Sequence, residues 1–165
     1  MTAVSITVVP WDDDDVARLR VEQQAELATR YDGVADIEPE LPAHEMLATL
    51  AITVNGVVVG CAALRDAARY GEGYGELKRM YVRPAFRGRG LARRALVDLE
   101  RIAVERGLRR LILETGVRQP EAIGLYESAG YRCIPRYGPY VDAPTSVCYA
   151  RWLVRGGGGD GEVMG

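Results

Sequence analysis

A mixed α/β sheet covered by helices is the fold class that this sequence predicts, and three observations carry it. Apolar, β-branched runs flank Asn55-Gly56, the strongest short signal for a two-residue type I′ hairpin and hence for antiparallel pairing. Leu91, Ala95, Leu99, Ile102 and Ala103 recur at helical spacing. Leu111 to Glu114 is short and apolar, as a buried parallel strand is, and a second helical segment follows it.

Taken in order, Ile6 to Val9 reads as a short strand. Asp12 to Asp15 then supply capping side chains and first-turn negative charge for a helix running to about Thr29. Four consecutive carboxylates suit a helix start better than a cation site, whose oxygen ligands are spread around a loop. Leu41 to Leu47 reads as a second short helix. The hairpin strands are Ala51 to Val54 and Val57 to Leu64. A stretch holding Gly71, Gly73 and Gly75 leads to a strand from Glu76 to Val82, stopped at Pro84. The amphipathic helix runs to about Arg106, where Gly107 is placed to end it. Pro120 opens the next helix at its first position, and Gly130 follows its end near Ala129. Tyr131 to Ile134 and Ser146 to Leu153 close the sheet. Residues 1–155 are thus expected to form one domain, and the glycine-rich tail 156–165 to be disordered.

Composition narrows the function classes. A chain of 165 residues, 48% apolar and 27% charged, buries a core without disulfides or structural metals. Its 21 basic and 23 acidic residues leave a formal charge of -2, so no global positive field argues for nucleic acid. Cys61, Cys133 and Cys148 are odd in number and form no C-x-x-C pair, which suits a reducing cytoplasm. No basic stretch followed by a long apolar run opens the chain, and no segment reaches membrane-spanning length, so neither export nor a membrane partner is expected. The single histidine, His44, has no adjacent nucleophile and reads as a surface residue.

The chemistry concentrates at Arg87-Gly88-Arg89-Gly90-Leu91-Ala92, between a strand and a long amphipathic helix. Helix-start N–H groups lack internal partners and carry the positive end of the helix dipole. Two glycines let backbone approach a phosphate, and arginines add charge-assisted hydrogen bonds. The segment is therefore a candidate anion cradle, with a plain structural turn as its rival. The dinucleotide fingerprint fails because Arg93 occupies its last glycine position, and no P-loop motif occurs. Arg83, Arg87, Arg89, Arg93 and Arg94 ring a loop and helix start, which suits one phosphate-rich ligand better than a nucleic-acid track.

With Arg87, Gly90 and Ala92 in R-x-x-G-x-A, with Glu76-Leu77-Lys78-Arg79-Met80-Tyr81-Val82 before it, and with Glu121 to Tyr131 after it, the sequence resembles the GNAT superfamily of acetyl-CoA-dependent N-acetyltransferases over about residues 50–153. The resemblance implies an α/β (α+β) fold: a mixed, mostly antiparallel sheet with a splayed parallel pair and helices on both faces. It implies that Met80, Tyr81 and Val82 lie along pantetheine, while Arg87, Gly88, Arg89, Gly90, Leu91, Ala92 and Arg93 face the CoA phosphates. Glu76 stands where several members carry the carboxylate that deprotonates the acceptor amine. An alkylammonium has a pKa near ~10, so a base is needed before it attacks a thioester. The alternative for Glu76 is a structural ion pair with Lys78 or Arg79. Tyr126 stands where many members have a tyrosine that protonates the departing thiolate; its alternative is packing with Ala122 and Ile123. No metal is required.

For the acceptor, Arg30 and Tyr31 after the first helix, Tyr70 and Tyr74 in the glycine-rich loop, and Arg136, Tyr137 and Tyr140 in the late loop are candidates, as arginine with tyrosine suits a carboxylate. The implied reaction is direct acetyl transfer from acetyl-CoA to a primary amine of a small metabolite, an amino-acid-like one among them. The rivals are a protein N-terminal or lysine acetyltransferase and a non-catalytic CoA-binding module. Monomer and homodimer both stay open.

Overall fold

The computed structural model describes residues 2–34 and 36–153. Seven strands form one sheet: β1 (Val4–Val9), β2 (Met46–Val54), β3 (Val57–Asp66), β4 (Tyr74–Val82), β5 (Arg110–Gly116), β6 (Arg132–Ile134) and β7 (Ser146–Trp152). Their order is β1-β2-β3-β4-β5-β7-β6. Every neighbouring pair is antiparallel except β4 and β5. Three α-helices, α1 (Asp14–Arg30), α2 (Leu91–Glu105) and α3 (Pro120–Ser128), flank it.

Local chemistry sets the element ends. Asp13 caps α1 by accepting from the Val16 N–H at 3.1 Å. Asn55 and Gly56 both take positive φ, 49° and 83°, as the two-residue hairpin requires. Leu41 to Leu47 does not form the expected helix. Only Ala43–Glu45 makes a single 3-10 turn, and Met46 already begins β2, because the run from Leu47 to Leu50 pairs along the far end of β3. Tertiary pairing overrides a weak helical preference there. The expected glycine-rich tail lies outside the described residues.

Alternation places the core on both faces. Leu50, Ile52, Ala62, Leu64 and Leu77 pack under α2 and α3 with Ala95, Leu96, Leu99 and Tyr126. On the opposite face Ala51, Cys61 and Tyr81 receive Val16 and Leu19 of α1. Two features open this body. The parallel pairing of β4 and β5 lasts only from Tyr74↔Arg110 to Glu76↔Ile112, after which the strands diverge. In β4, the register with β3 slips between Lys78 and Tyr81, with Arg79 at φ 56°. A bulge of this kind bends its strand away from its neighbour.

Candidate active site

Two cavities meet at the divergence of β4 and β5. The first, about 270 Å³, runs between the end of β4, the start of α2, and α3. Met80, Tyr81, Val82, Arg87, Gly88, Gly90, Leu91, Ala92 and Arg93 line it, so every residue expected at the CoA is there except Arg89, whose guanidinium lies over Phe86. Gly88 and Gly90 take φ 78° and 75°, with nothing within 4 Å of where a Cβ would stand. Gly90 is the N-cap of α2 and offers no side-chain cap, so the first amides of the helix stay free for a ligand. That open, amide-lined concavity fits a pyrophosphate. Arg87 is not free to join it: its Nε donates to the Val82 carbonyl at 2.8 Å and its Nη2 to both Glu26 oxygens at 2.9 Å. Arg87 thereby ties the loop to α1.

The second cavity, about 480 Å³, opens on the α1 side of the split. Glu114 and Thr115 of β5, Lys78, Arg79 and Met80 of β4, Tyr126 of α3, and Ser146 of β7 form its inner end; Leu27, Val34, Ile37 and Pro144 form its apolar wall. Gln23 lines both cavities. Its Nε2 donates to the Met80 carbonyl at 3.0 Å, and its buried Oε1 has no partner among the described residues.

Glu114 was not singled out by the sequence, where it closes an apolar run and looks like a strand end. Burial pushes its carboxyl up to about 7, against the Lys78 ammonium and the Ser146 hydroxyl, which both favour the charged form. Glu76, two residues before Lys78, is elsewhere. It is 1% exposed and absent from both cavity walls, with Oε2 accepting from the Tyr137 hydroxyl at 2.5 Å and Oε1 3.6 Å from Arg65 Nη1. Tyr126 lines the second cavity and packs edge-on to Tyr131, with centroids 5.7 Å apart. Burial, and then the Glu114 charge, raise its phenol above the ordinary value. Its hydroxyl has no hydrogen-bond partner among the described residues.

The acceptor candidates scatter. Tyr31 lines the second cavity and accepts from the Arg118 N–H at 3.1 Å. Arg30 lies outside both cavities and is paired with Glu26 and Glu121. Tyr74 is at the closed end of β4, against Trp152 and Arg110. Arg136 donates to the Ala143 carbonyl at 2.6 Å. Tyr137 packs edge-to-face with Tyr70 and Tyr140, and its hydroxyl donates to Glu76.

Residues 11–131 match the family described as the acetyltransferase (GNAT) family. An IAA acetyltransferase of Azospirillum brasilense is 44% identical over 93 residues, 56% of this chain and 60% of that protein, so the chain spans less than two thirds of that relative's length. YjgM of Escherichia coli K12, an uncharacterised N-acetyltransferase, is 34% identical over 134 residues, 74% of this chain and 78% of its own. Among solved structures, a Klebsiella pneumoniae protein assigned to the acyl-CoA N-acyltransferases superposes with a TM-score of 0.78 at 34% identity, covering 92% of this chain and 98% of its own. The PaiA N-acetyltransferase of Thermoplasma acidophilum, solved in complex with coenzyme A, shares the fold, with a TM-score of 0.68 at 15% identity over 91% of this chain and 99% of its own.

Proposed function

Because the chain belongs to the GNAT acetyltransferase family, we propose that it transfers acetyl from acetyl-CoA to a primary amine of a small metabolite, with Glu114 as general base and Tyr126 as general acid. The observation that carries this reading is the meeting of an amide-lined anion cradle and a cavity holding both groups where β4 and β5 diverge. Bound acetyl-CoA supplies an activated acyl group; Gly88, Gly90 and the first amides of α2 hold its phosphates, and the end of β4 runs beside its arm.

Glu114 removes a proton from the acceptor ammonium, and a carboxyl poised near neutrality is suited to that work. The freed amine forms its bond to the carbonyl carbon as the carbon–sulfur bond breaks. The Tyr126 hydroxyl gives its proton to the departing thiolate and regains one from the newly acylated, still cationic nitrogen, which becomes the neutral amide; the burial that raises its pKa favours this return to the neutral phenol. Glu76, tied to Tyr137 and Arg65, positions β4 rather than meeting the amine. A cytoplasmic setting accords with three cysteines present as free thiols.

The test is a mass-spectrometric screen of acetyl-CoA with pooled amino acids, polyamines, aminoglycosides and peptides. Acetylated small amines are expected. Modification of peptides alone would transfer the activity to protein acceptors, and acetyl-CoA binding without any product would leave a CoA-binding module.

A further inference from the structure

Lys78 is a buried cation that favours the ionised form of Glu114 but has no direct part in the proposed reaction. It is 8% exposed, lies on β4, and lines the larger cavity. Nζ donates to the Tyr140 hydroxyl at 2.8 Å, and that hydroxyl in turn donates to Glu38 Oε1 at 3.0 Å. Among the described residues the only ion pair of Lys78 is with Glu38, at 3.5 Å.

Glu38 is already engaged elsewhere. Arg65 Nη1 donates to its two oxygens at 3.3 and 3.1 Å, and the same guanidinium meets Glu45 at 2.6 Å and Glu76 at 3.6 Å. The carboxylates of this group thus converge on Arg65, and none of the three lines the cavity. The other cations on the cavity wall are spent: Arg79 on Asp36 at 2.9 Å, and Arg118 on Asp32 at 3.0 Å. An ammonium has three donors. One is given to Tyr140 and one is shared at long range, so a charged donor at the cavity wall remains without a close acceptor. Burying a cation in that state is costly unless an anion completes it.

The register says where that anion would lie. Glu76 stands opposite Ile112, the last paired position of β4 and β5. Two residues further along each diverging strand come Lys78 and Glu114, both on the cavity wall, facing each other across the opening. A molecule with its ammonium at Glu114 and an anion at Lys78 carries both groups close together. The apolar wall of Leu27, Val34, Ile37 and Pro144 borders the same space.

Resting on the acetyl-transfer reading, we propose that the acceptor is an α-amino acid with an apolar side chain, and that Lys78 is the specificity residue that binds its carboxylate. The ammonium supplies charge-assisted hydrogen bonds to the carboxylate, holds the amine towards Glu114, and leaves the side chain to the apolar wall.

The experiment compares L-leucine, L-methionine and L-phenylalanine with their carboxamides as acceptors, measured as CoA release and confirmed by product mass. The carboxamide amine is the weaker base and is free at lower pH, so proton chemistry alone favours the amide. A preference for the acid must therefore come from binding. The wild-type protein is expected to favour the acid by about 10- to 100-fold in kcat/KM, as a charge-assisted pair predicts. Lys78→Met should abolish that preference, chiefly through KM for the acid. Because the ammonium also favours the charged form of Glu114, the variant moves turnover of acid and amide alike to higher pH, so the acid-to-amide ratio at one pH is the readout. Lys78→Arg should restore part of the preference. A fold defect would raise KM for both acceptors, and thermal melting of each variant identifies it. Preference for the amide, or an acid preference that survives Lys78→Met, overturns the proposal. Acetylation of polyamines or aminoglycosides but not amino acids overturns it while leaving small-amine transfer intact. Binding of acetyl-CoA with no amine acetylated brings down the acetyl-transfer reading itself.

Discussion

Glu114 and Glu76 stand on neighbouring strands, yet their surroundings give them different work. Glu76 is enclosed by Tyr137 and Arg65, whereas Glu114 meets the cavity, with burial holding its carboxyl near 7. Turnover by the wild-type protein is therefore expected to rise through about pH 7 as Glu114 loses its proton. Glu114→Gln should lower kcat by about 10²- to 10⁴-fold and remove that limb, with partial recovery at high pH where free amine is available. Glu76→Gln should bind acetyl-CoA and keep the limb, because its partner Tyr137 still finds an acceptor. The same shift has a sign for stability: a carboxyl whose folded pKa lies above its unfolded value weakens the fold as pH rises from about 4.5 to about 7. Glu114→Gln should accordingly melt higher than wild type at pH 8 and nearly alike at about pH 4. For Tyr126, replacement by Phe keeps the ring against Tyr131 and deletes the hydroxyl alone. Normal acetyl-CoA binding with lost turnover, partly restored by a thioester whose thiol has a lower pKa, is the expected result; unimpaired turnover would assign the residue to packing. Tyr126 could be found in the sequence because it sits in a recognisable helix. Glu114 could not, since its character comes from burial and from strands that separate there; a carboxylate closing an apolar strand was the one available signal.

At the scale of elements, the hairpin and the helix start were readable because each is decided within a few residues. Asn55-Gly56 dictates its own turn, and Gly88 and Gly90 are needed wherever backbone must take positive φ beside a phosphate. The start of β2 is not legible in the sequence because Leu41 to Leu47 carries no comparable local signal, and the partner of Met46 lies at the far end of β3. Arg87 shows the same limit. Its place in the motif was plain, but its pairing with Glu26 of α1 depends on how that helix crosses the sheet. The cradle yields a prediction at this scale. At φ 75° a non-glycine residue is strained, and a glutamate at position 90 brings negative charge to the positive end of α2. Gly90→Glu should stay folded, since nothing lies within 4 Å of the added Cβ, yet lose CoA affinity by at least about 100-fold. Isothermal titration checks it, and unchanged affinity in a folded variant would place the phosphates elsewhere.

On the scale of the whole molecule, α1 and the sheet form a frame around a split that the chain's own side chains do not fill. The acceptor candidates on loops lie apart for this reason: Tyr74 and Arg136 are near functional segments in sequence, but the sheet carries them away from the split, and of the candidates only Tyr31 lines the cavity. A ligand that occupies the split touches β4, α2 and α3 at once, so its binding energy is coupled to global unfolding and not to one loop. CoA and acetyl-CoA should therefore raise the melting temperature. At about 100 times the dissociation constant the linkage is about 2.7 kcal/mol, which for a chain of this length is a shift of about 5 to 10 °C. ATP and NAD offer phosphates to the α2 amides but have no pantetheine arm to lie beside Met80 and Val82, so at equal concentration they should shift it far less. The pattern among ligands matters more than the size of any one shift. Equal shifts for ATP and CoA would mean that the cradle recognises phosphate alone and that the end of β4 contributes nothing. A shift with CoA that survives Gly90→Glu would mean that the stabilising ligand sits outside the cradle.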